Sequence, residues 1–319
     1  MGHKKSIIAQ AYDKLDALYE PGRDKHWDKM QDPHHQPRQD KIYSSGTLKT
    51  YRQQVKKFAR WARDTHNCRN IEEARKYAPD YIEYLKGRTV VDYNGLRVEG
   101  AAREYKANSI NLAISAISKM YGASSYTIGK RRPRHRADTS QHRDPDKWAS
   151  FKAEKHKDLV DFCKATGLRR MEVSRLRPKQ VVQHRDGTVW LHKVKGKGGR
   201  IRSFPVRLEL ADRVLAISVA AAARGQKKVF DYIPVNAPIH RYRAEYARAM
   251  YDAAARPLID LPEKELYRCR KDKYGDVYDR QAMLIVSRYL GHSRVDIMAQ
   301  SYLYLDASDA ELLAAENEA

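Results

Sequence analysis

The stretch "GKRRPRHRADTSQHRDPD", which begins at Gly129, constrains the fold more than any other. Gly129, Pro133 and Pro145 exclude a continuous helix through it. Five cations, Lys130, Arg131, Arg132, Arg134 and Arg136, crowd its first half, where no core can take them. Helical patterning runs on both sides, so the chain must build two cores rather than one, and 319 residues suffice for two domains. The run itself has three readings: a nuclear-import signal, a solvated linker, or a linker crossing a nucleic-acid backbone. The third joins two basic domains and is preferred.

Before the break, Ile8, Ala11, Leu15 and Leu18 recur at helical spacing, predicting a short amphipathic helix over 6–19. Residues 20–44 are polar and carry Pro21, Pro33 and Pro37; residues 1–44 are expected to form an arm, a helix and then a loop. In "TLKTYRQQVKKFARWARD", Leu48, Tyr51, Val55, Phe58 and Ala62 form one stripe, with Lys49, Arg52, Lys56, Lys57 and Arg60 off it. That cationic face is either solvated or laid along phosphates. Helices are also expected in "IEEARKYAPDYIEYLKGR" and "SINLAISAISKMYG", making 45–123 an all-helical domain and 124–144 a basic linker.

After the break, 145–319 alternates helices with strand-like segments. "TVWLHKVKGKGGRIRSFPV" places β-branched and aromatic residues around a Gly-Lys-Gly-Gly turn and predicts a hairpin. Helices are expected in "KDLVDFCKATGL", "LELADRVLAISVAAAA", "PIHRYRAEYARAMYDAA" and "RQAMLIVSRYLGH", with Pro238 in a first turn. "LYRCRKDKYGDVYDR" is a candidate for a second, basic hairpin. Ser308 and Glu311 make a capping-box pattern for a tail helix over 308–317. The fold class expected is mainly α with a small antiparallel β-sheet.

Charge sets the partner. Lys and Arg number 62 against 40 Asp and Glu, a net of +22, and that much self-repulsion is offset by a polyanion such as nucleic acid. Membrane lipid fits less well, because the cations are spread along the whole chain. No apolar run approaches a membrane span and no signal peptide opens the chain, so a soluble intracellular protein is expected. Cys68, Cys163 and Cys269 lie far apart, without metal-ligand spacing or a disulfide framework. His34-His35, between prolines and without a partner ligand, is a loop rather than a metal site.

Several pieces are ordinary when taken alone. Arg169 one turn before Glu172 is usually a surface ion pair. Lys197 on a glycine turn is usually solvated, and His240 and Arg243 at i,i+3 merely share a helix face. In order, however, "TGLRRMEVSRLRP", "VKGKGGRIRSFPV", "HRYRAEY" and "RYLGHSRVDIMAQSY" resemble the tyrosine recombinase (phage integrase) family over about 145–305. The resemblance implies a two-domain DNA clamp: a helical core-binding domain at 45–123 and an α+β catalytic domain at 145–319. It implies a catalytic set of Arg169, Lys197, His240, Arg243, His292 and Tyr302, working without metal, ATP or other cofactor.

The residue chemistry agrees. Two guanidiniums, Arg169 and Arg243, suit the nonbridging oxygens of a phosphate and its pentavalent transition state. Lys197 among arginines has a depressed pKa and suits protonation of a 5′-oxygen leaving group. His240 and His292 suit hydrogen bonds to the phosphate, and His240 is a candidate to take the tyrosine proton. Glu172 is expected to position Arg169. The family's nucleophile falls about nine or ten positions after the histidine of "LGH", which selects Tyr302, ten after His292, over Tyr304. The activity implied is strand cleavage and rejoining at specific DNA sites through a 3′-phosphotyrosyl link, integrating or excising a mobile element in a prokaryotic or phage cytoplasm. It also implies a homotetramer held by the tail helix. The alternatives are a type IB topoisomerase-like enzyme and a catalytically inactive DNA-binding regulator.

Two departures stand out. The family's H-x-L-R-H reads His240-Arg241-Tyr242-Arg243-Ala244 here. The interval from Arg243 to His292 is roughly twice the family's, with the surplus at 257–280. That insertion is expected to contact DNA or a neighbouring subunit.

Overall fold

The computed structural model describes residues 5–23, 25–32, 41–87, 105–133, 148, 150–196, 199–270 and 274–303, the side chains of Lys25, His26 and Lys29 excepted. His34-His35, Arg134, Arg136, Lys197, Tyr304 and the expected tail helix lie outside the described residues. The fold is mainly α with small antiparallel sheets. The chain divides into two compact units, Met1–His142 and Arg143–Ala319.

The first unit is helical: α1 (Ile7–Asp16), α2 (Lys25–Met30), α3 (Ser45–His66), α4 (Ile71–Arg75), α5 (Ala78–Gly87), α6 (Ala107–Tyr121) and α7 (Ser125–Ile128). The long α3 starts where the Ser44 hydroxyl accepts from the Thr47 N–H at 3.1 Å. It stops at Asn67, whose left-handed φ of 54° an asparagine tolerates. Leu48, Val55, Phe58, Ala59 and Ala62 are its buried stripe, packed against α1 and α6.

The N-terminal helix is a layer of this core, not an arm outside it. A ten-residue helix is not stable alone. Ile7 and Leu15 are buried against the core, each contributing about 2 kcal/mol. The Arg52 guanidinium forks onto Asp16 and lies over the Tyr12 ring. Arg52, read as a phosphate contact, is thus committed to α1, while Lys49, Lys57 and Arg60 stay exposed and Lys56 half-exposed.

The basic linker also begins later than expected. Ile128 is in the core, and Gly129 lies so close to Ile82 that a Cβ would come within 2.9 Å of it. The Asn111 side chain holds both backbone groups of Arg132, donating to its carbonyl at 2.8 Å and accepting from its N–H at 3.0 Å. Arg131 donates to Ser115 Oγ at 3.0 Å. Arg131 and Arg132 are therefore fastened to α6, Arg132 by an asparagine whose buried amide is satisfied there.

The second unit contains α8 (Lys157–Thr166), α9 (Arg170–Val173), β1 (Val181–Gln183), β2 (Val189–Lys195), β3 (Ile201–Pro205), α10 (Ala211–Ala223), α11 (Ile239–Ala254), β4 (Leu266–Arg268), β5 (Val277–Asp279), α12 (Arg280–Tyr289) and α13 (Asp296–Ser301). β1-β2-β3 form one antiparallel sheet and β4-β5 a second. Pro238 precedes α11 as its N-cap rather than entering its first turn.

In β2, Val189 and Leu191 point inward, and the next inward residue is Val194. The register shifts between Leu191 and Val194, where Lys193 takes a φ of 51°. One extra residue restores the inward parity and sets Val194 opposite Arg202. Arg202 and Phe204 then share the buried face of β3.

Candidate active site

Arg169, His292 and Tyr302 are each delivered by the end of an element. Gly167 closes α8 at φ 57°, and a Cβ there would fall 2.4 Å from the fully buried Tyr246 ring. Only glycine fits, and the turn it makes aims its carbonyl inward and starts the segment that carries Arg169. Arg169 caps α9, whose third residue, Glu172, accepts from the Arg169 N–H at 2.9 Å and from its Nη1 at 2.9 Å.

Arg243 lies in α11 and is fully buried. Its Nη1 donates to the Gly167 carbonyl at 2.5 Å, its Nη2 to the Leu290 carbonyl at 2.6 Å, and its Nε to the Tyr302 hydroxyl at 3.0 Å. His240, three residues earlier in the same helix, is exposed.

The "LGH" signature has a local cause. α12 ends in a Schellman motif: Gly291 N–H bonds Arg288 O at 2.9 Å and His292 N–H bonds Ser287 O at 2.8 Å. The left-handed position falls on Gly291, at φ 74°. His292 is therefore held by its backbone directly after the turn, and its ring reaches the arginines.

His292 Nε2 lies 3.0 Å from Tyr302 Oη, 3.2 Å from Arg169 Nη2 and 3.4 Å from Arg243 Nη2. Guanidinium nitrogens only donate, so Nε2 is the unprotonated ring nitrogen and accepts. Burial pushes the imidazole down to about 4, helped by the charges of Arg243, Arg169 and Arg202 against the smaller pull of Glu172. His292 is thus a neutral acceptor at pH 7.

Tyr302 sits just after α13, nine-tenths buried, its N–H on Met298 O at 3.0 Å and its carbonyl accepting from Arg248 Nε at 3.1 Å. Its hydroxyl stands between one donor, Arg243, and one acceptor, His292.

Glu172 carries more than the placement of Arg169. Arg202 forks onto it, Nη1 to Oε1 at 3.0 Å and Nη2 to Oε2 at 2.8 Å. Burial works to raise this carboxyl, but the Arg202 fork, the Arg169 N–H and the Arg243 charge outweigh it and hold it at about 2. Three guanidiniums around one carboxylate leave two positive charges in excess beside the partly exposed Arg169, which suits a phosphate.

The structure thus brings together Arg169, Glu172, Arg243, His292 and Tyr302, residues up to 123 positions apart in one hydrogen-bonded pair. Sequence reasoning missed Arg202, the two clamping carbonyls of Gly167 and Leu290, and the short strand β1. A signal for Arg202 existed: in "RIRSFP" it alternates with Phe204, and an arginine on the apolar face of a strand needs a buried acid.

No family model matches the sequence, and no curated protein matches it significantly. Solved structures do. A XerH site-specific recombinase bound to a palindromic difH substrate, in a post-cleavage complex, matches at 13% identity with a TM-score of 0.51, covering 98% of this chain and 95% of that one. The pre-cleavage XerH complex with difH gives 13% and 0.48 over 96% and 94%. The Tn1549 transposon integrase with circular-intermediate DNA gives 9% and 0.43 over 98% and 100%. The fold of this chain is therefore the one that the XerH site-specific recombinase adopts, in keeping with the fold expected from the four sequence motifs.

Proposed function

We propose that this protein is a site-specific DNA recombinase that cuts and rejoins strands through a covalent bond from Tyr302 to the 3′-phosphate. The observation that carries this reading is the Tyr302 hydroxyl, 3.0 Å from both Arg243 Nε and His292 Nε2 inside a cluster of excess positive charge. A phenol has a free pKa near 10 and attacks at neutral pH only beside a proton acceptor and cations.

In this scheme Tyr302 Oη attacks phosphorus and its proton passes to His292 Nε2. The Oη–P bond forms and the bond to the 5′-oxygen breaks. Arg169 and Arg243 stabilise the charge on the nonbridging oxygens. Lys197, on the β2–β3 turn, supplies the proton to the 5′-oxygen, and His240 hydrogen-bonds the phosphate. Without DNA the Tyr302 hydroxyl holds the Arg243 Nε that a phosphate oxygen would take, so engagement exchanges one acceptor for another. The phosphodiester energy is kept in the phosphotyrosyl link, so rejoining needs neither ATP nor metal.

The wider reading follows the same family logic. Its substrate is a pair of DNA sites of a mobile element, its setting the cytoplasm, and its working form a tetramer joined through the tail helix. No helix among the described residues is long and apolar enough to cross a membrane.

Denaturant-resistant capture on a library of nicked duplexes of randomised sequence tests the chemistry and finds the site in one step. Wild type is expected to form an adduct, Tyr304→Phe to keep it and Tyr302→Phe to lose it. The reverse pattern reassigns the nucleophile. No wild-type adduct, with DNA binding intact, favours the inactive regulator. Exchange between two marked copies of the captured site separates recombination from topoisomerase-like relaxation.

A further inference from the structure

Arg202 lies on neither of the segments that carry Arg169 and His292, yet both close around it, with Gly196 at the end of β2. Its fork holds Glu172, which in turn holds Arg169 by backbone and side chain. Its Nε donates to the Tyr289 carbonyl at 2.7 Å, in the last turn of α12 before Gly291 and His292. Its guanidinium also fills the space over two glycines. A Cβ on Gly196, where β2 leaves for the Lys197 turn, would sit 2.9 Å from Arg202 Nη1 and 3.1 Å from Glu172 Oε1. A Cβ on Gly291 would sit 3.1 Å from Arg202 Cδ. The guanidinium is itself buried and lies over the Phe204 ring, 4.9 Å from its centroid.

We propose that Arg202 is a positioning residue that fixes the Arg169 and His292 segments and the Gly196 end of β2 relative to one another through Glu172, Tyr289, Gly196 and Gly291. A planar fork is needed because three directions are used at once: two hydrogen bonds to one carboxylate and a third, from Nε, to a carbonyl on another element. A lysine keeps the charge and loses that geometry. The two glycines are the complementary half of the device, since each gives up its side chain where the arginine passes.

This inference rests on the recombinase reading for its catalytic consequence, but its geometry is testable without DNA. Amide hydrogen exchange reports the two loops through Gly196 N–H, bonded to Arg200 O at 2.7 Å, and His292 N–H, bonded to Ser287 O at 2.8 Å. In Arg202→Lys both amides are expected to exchange about tenfold faster, while the β1–β2 ladder is unchanged. Single-turnover cleavage of a captured site is expected to slow about a hundredfold, the scale of a misplacement near 1 Å, with DNA affinity within about threefold. The pair Glu172→Met with Arg202→Met replaces the buried ions by apolar groups of similar volume and is expected to fold. If Arg202 served folding alone, Arg202→Lys with an intact β1–β2 ladder would cleave at the wild-type rate; positioning requires it to stay slow, and the folded pair, which also lacks the Glu172 hold on Arg169, to be slow as well. The acidic limb of the cleavage profile adds a further readout. Around His292 the charged groups are Arg169, Arg243, Arg202 and Glu172, with the Tyr302 hydroxyl beside it. Arg202→Met is expected to move that limb to higher pH and Arg202→Lys to leave it in place.

Unchanged exchange at both loops in Arg202→Lys would overturn the proposal whatever the enzyme does. Loosened loops in a protein whose wild type forms no adduct would uphold the positioning and sink the reaction.

Discussion

Two β-hairpins of the second unit, β2–β3 and β4–β5, are each fastened at the base by a buried carboxylate paired to arginine. At β2–β3 the pair is Glu172 with Arg202, and both side chains are nearly inaccessible, 3% and 7% exposed. At β4–β5 it is Asp279 with Arg256, the aspartate fully buried and the arginine 40% exposed. The second carboxylate also accepts from the N–H groups of Arg256, Gln281 and Ala282, and so caps α12. One fastening draws on guanidiniums that the site needs; the other draws on backbone and on an arginine open to water. The two hairpins therefore differ in how much change they tolerate. The β4–β5 hairpin is held by backbone bonds and a partly exposed arginine, whereas the base of β2–β3 is shared with the candidate site.

The largest effect expected follows from removing the shared acid. Glu172→Ala strands Arg202 and leaves three guanidiniums without a counter-ion. It is expected to cost about 3–5 kcal/mol in urea unfolding and to abolish adduct formation. A loss below about 1 kcal/mol would show that water enters the cluster freely and would erase the contrast between the hairpins.

Acid should weaken the same side first. The His292 imidazole drops from 6.5 to about 4 on folding, so the unfolded chain takes up its proton first as pH falls. Stability from this group is whole above 6.5 and is lost progressively down to about 4. Glu172, lowered from 4.5 to about 2, has the opposite charge sense but the same direction: its contribution is present above 4.5 and fades toward 2. Asp279, also lowered, releases its contribution only below 3.8. Between pH 6.5 and 4.5, then, unfolding should ease mainly through His292, and His292→Gln should flatten that part of the curve. A slope that survives His292→Gln would assign it elsewhere.

Asp279→Ala ranks next, at about 1–2 kcal/mol. Arg256 can rehydrate, so the loss is chiefly the helix cap and a bond to partly exposed arginine. A cost equal to that of Glu172→Ala would mean that the insertion is as deeply tied to the core as the site is.

What the sequence made legible divides along similar lines. Stripes such as Leu48, Val55, Phe58 and Ala62 are periodic, and their helix follows from burial of one face. Arg169, Arg243, His292 and Tyr302 were legible because family spacing orders them, although no local pattern says that they meet. β1 was not legible, since three residues of "VVQ" carry no period. Nor was the parity change in β2, which depends on one residue, Lys193, leaving the ladder. Arg202 carried a signal in its alternation with Phe204, but the acid it meets, Glu172, is set by tertiary packing. The attachment of α1 and of Arg132 is a tertiary matter: an apolar face needs a partner, and the sequence does not say which.

The smallest effect tests the outer end of the second hairpin. Tyr274 is 90% exposed, in the turn between β4 and β5, with Arg270 exposed at the end of the outgoing strand. A ring in water adds nothing to the core, so Tyr274→Ala is expected to change stability by less than about 0.5 kcal/mol. The base of the hairpin stays latched, because Tyr251 Oη still accepts from the Asp279 N–H and Cys269 N–H still bonds Asp276 O. If the insertion reaches DNA, the same substitution lowers affinity in a filter-binding titration while leaving the unfolding curve in place. A shifted unfolding curve with unchanged affinity would instead make the turn part of the core, and the distinction between the two hairpins would fail at the end where it is easiest to measure.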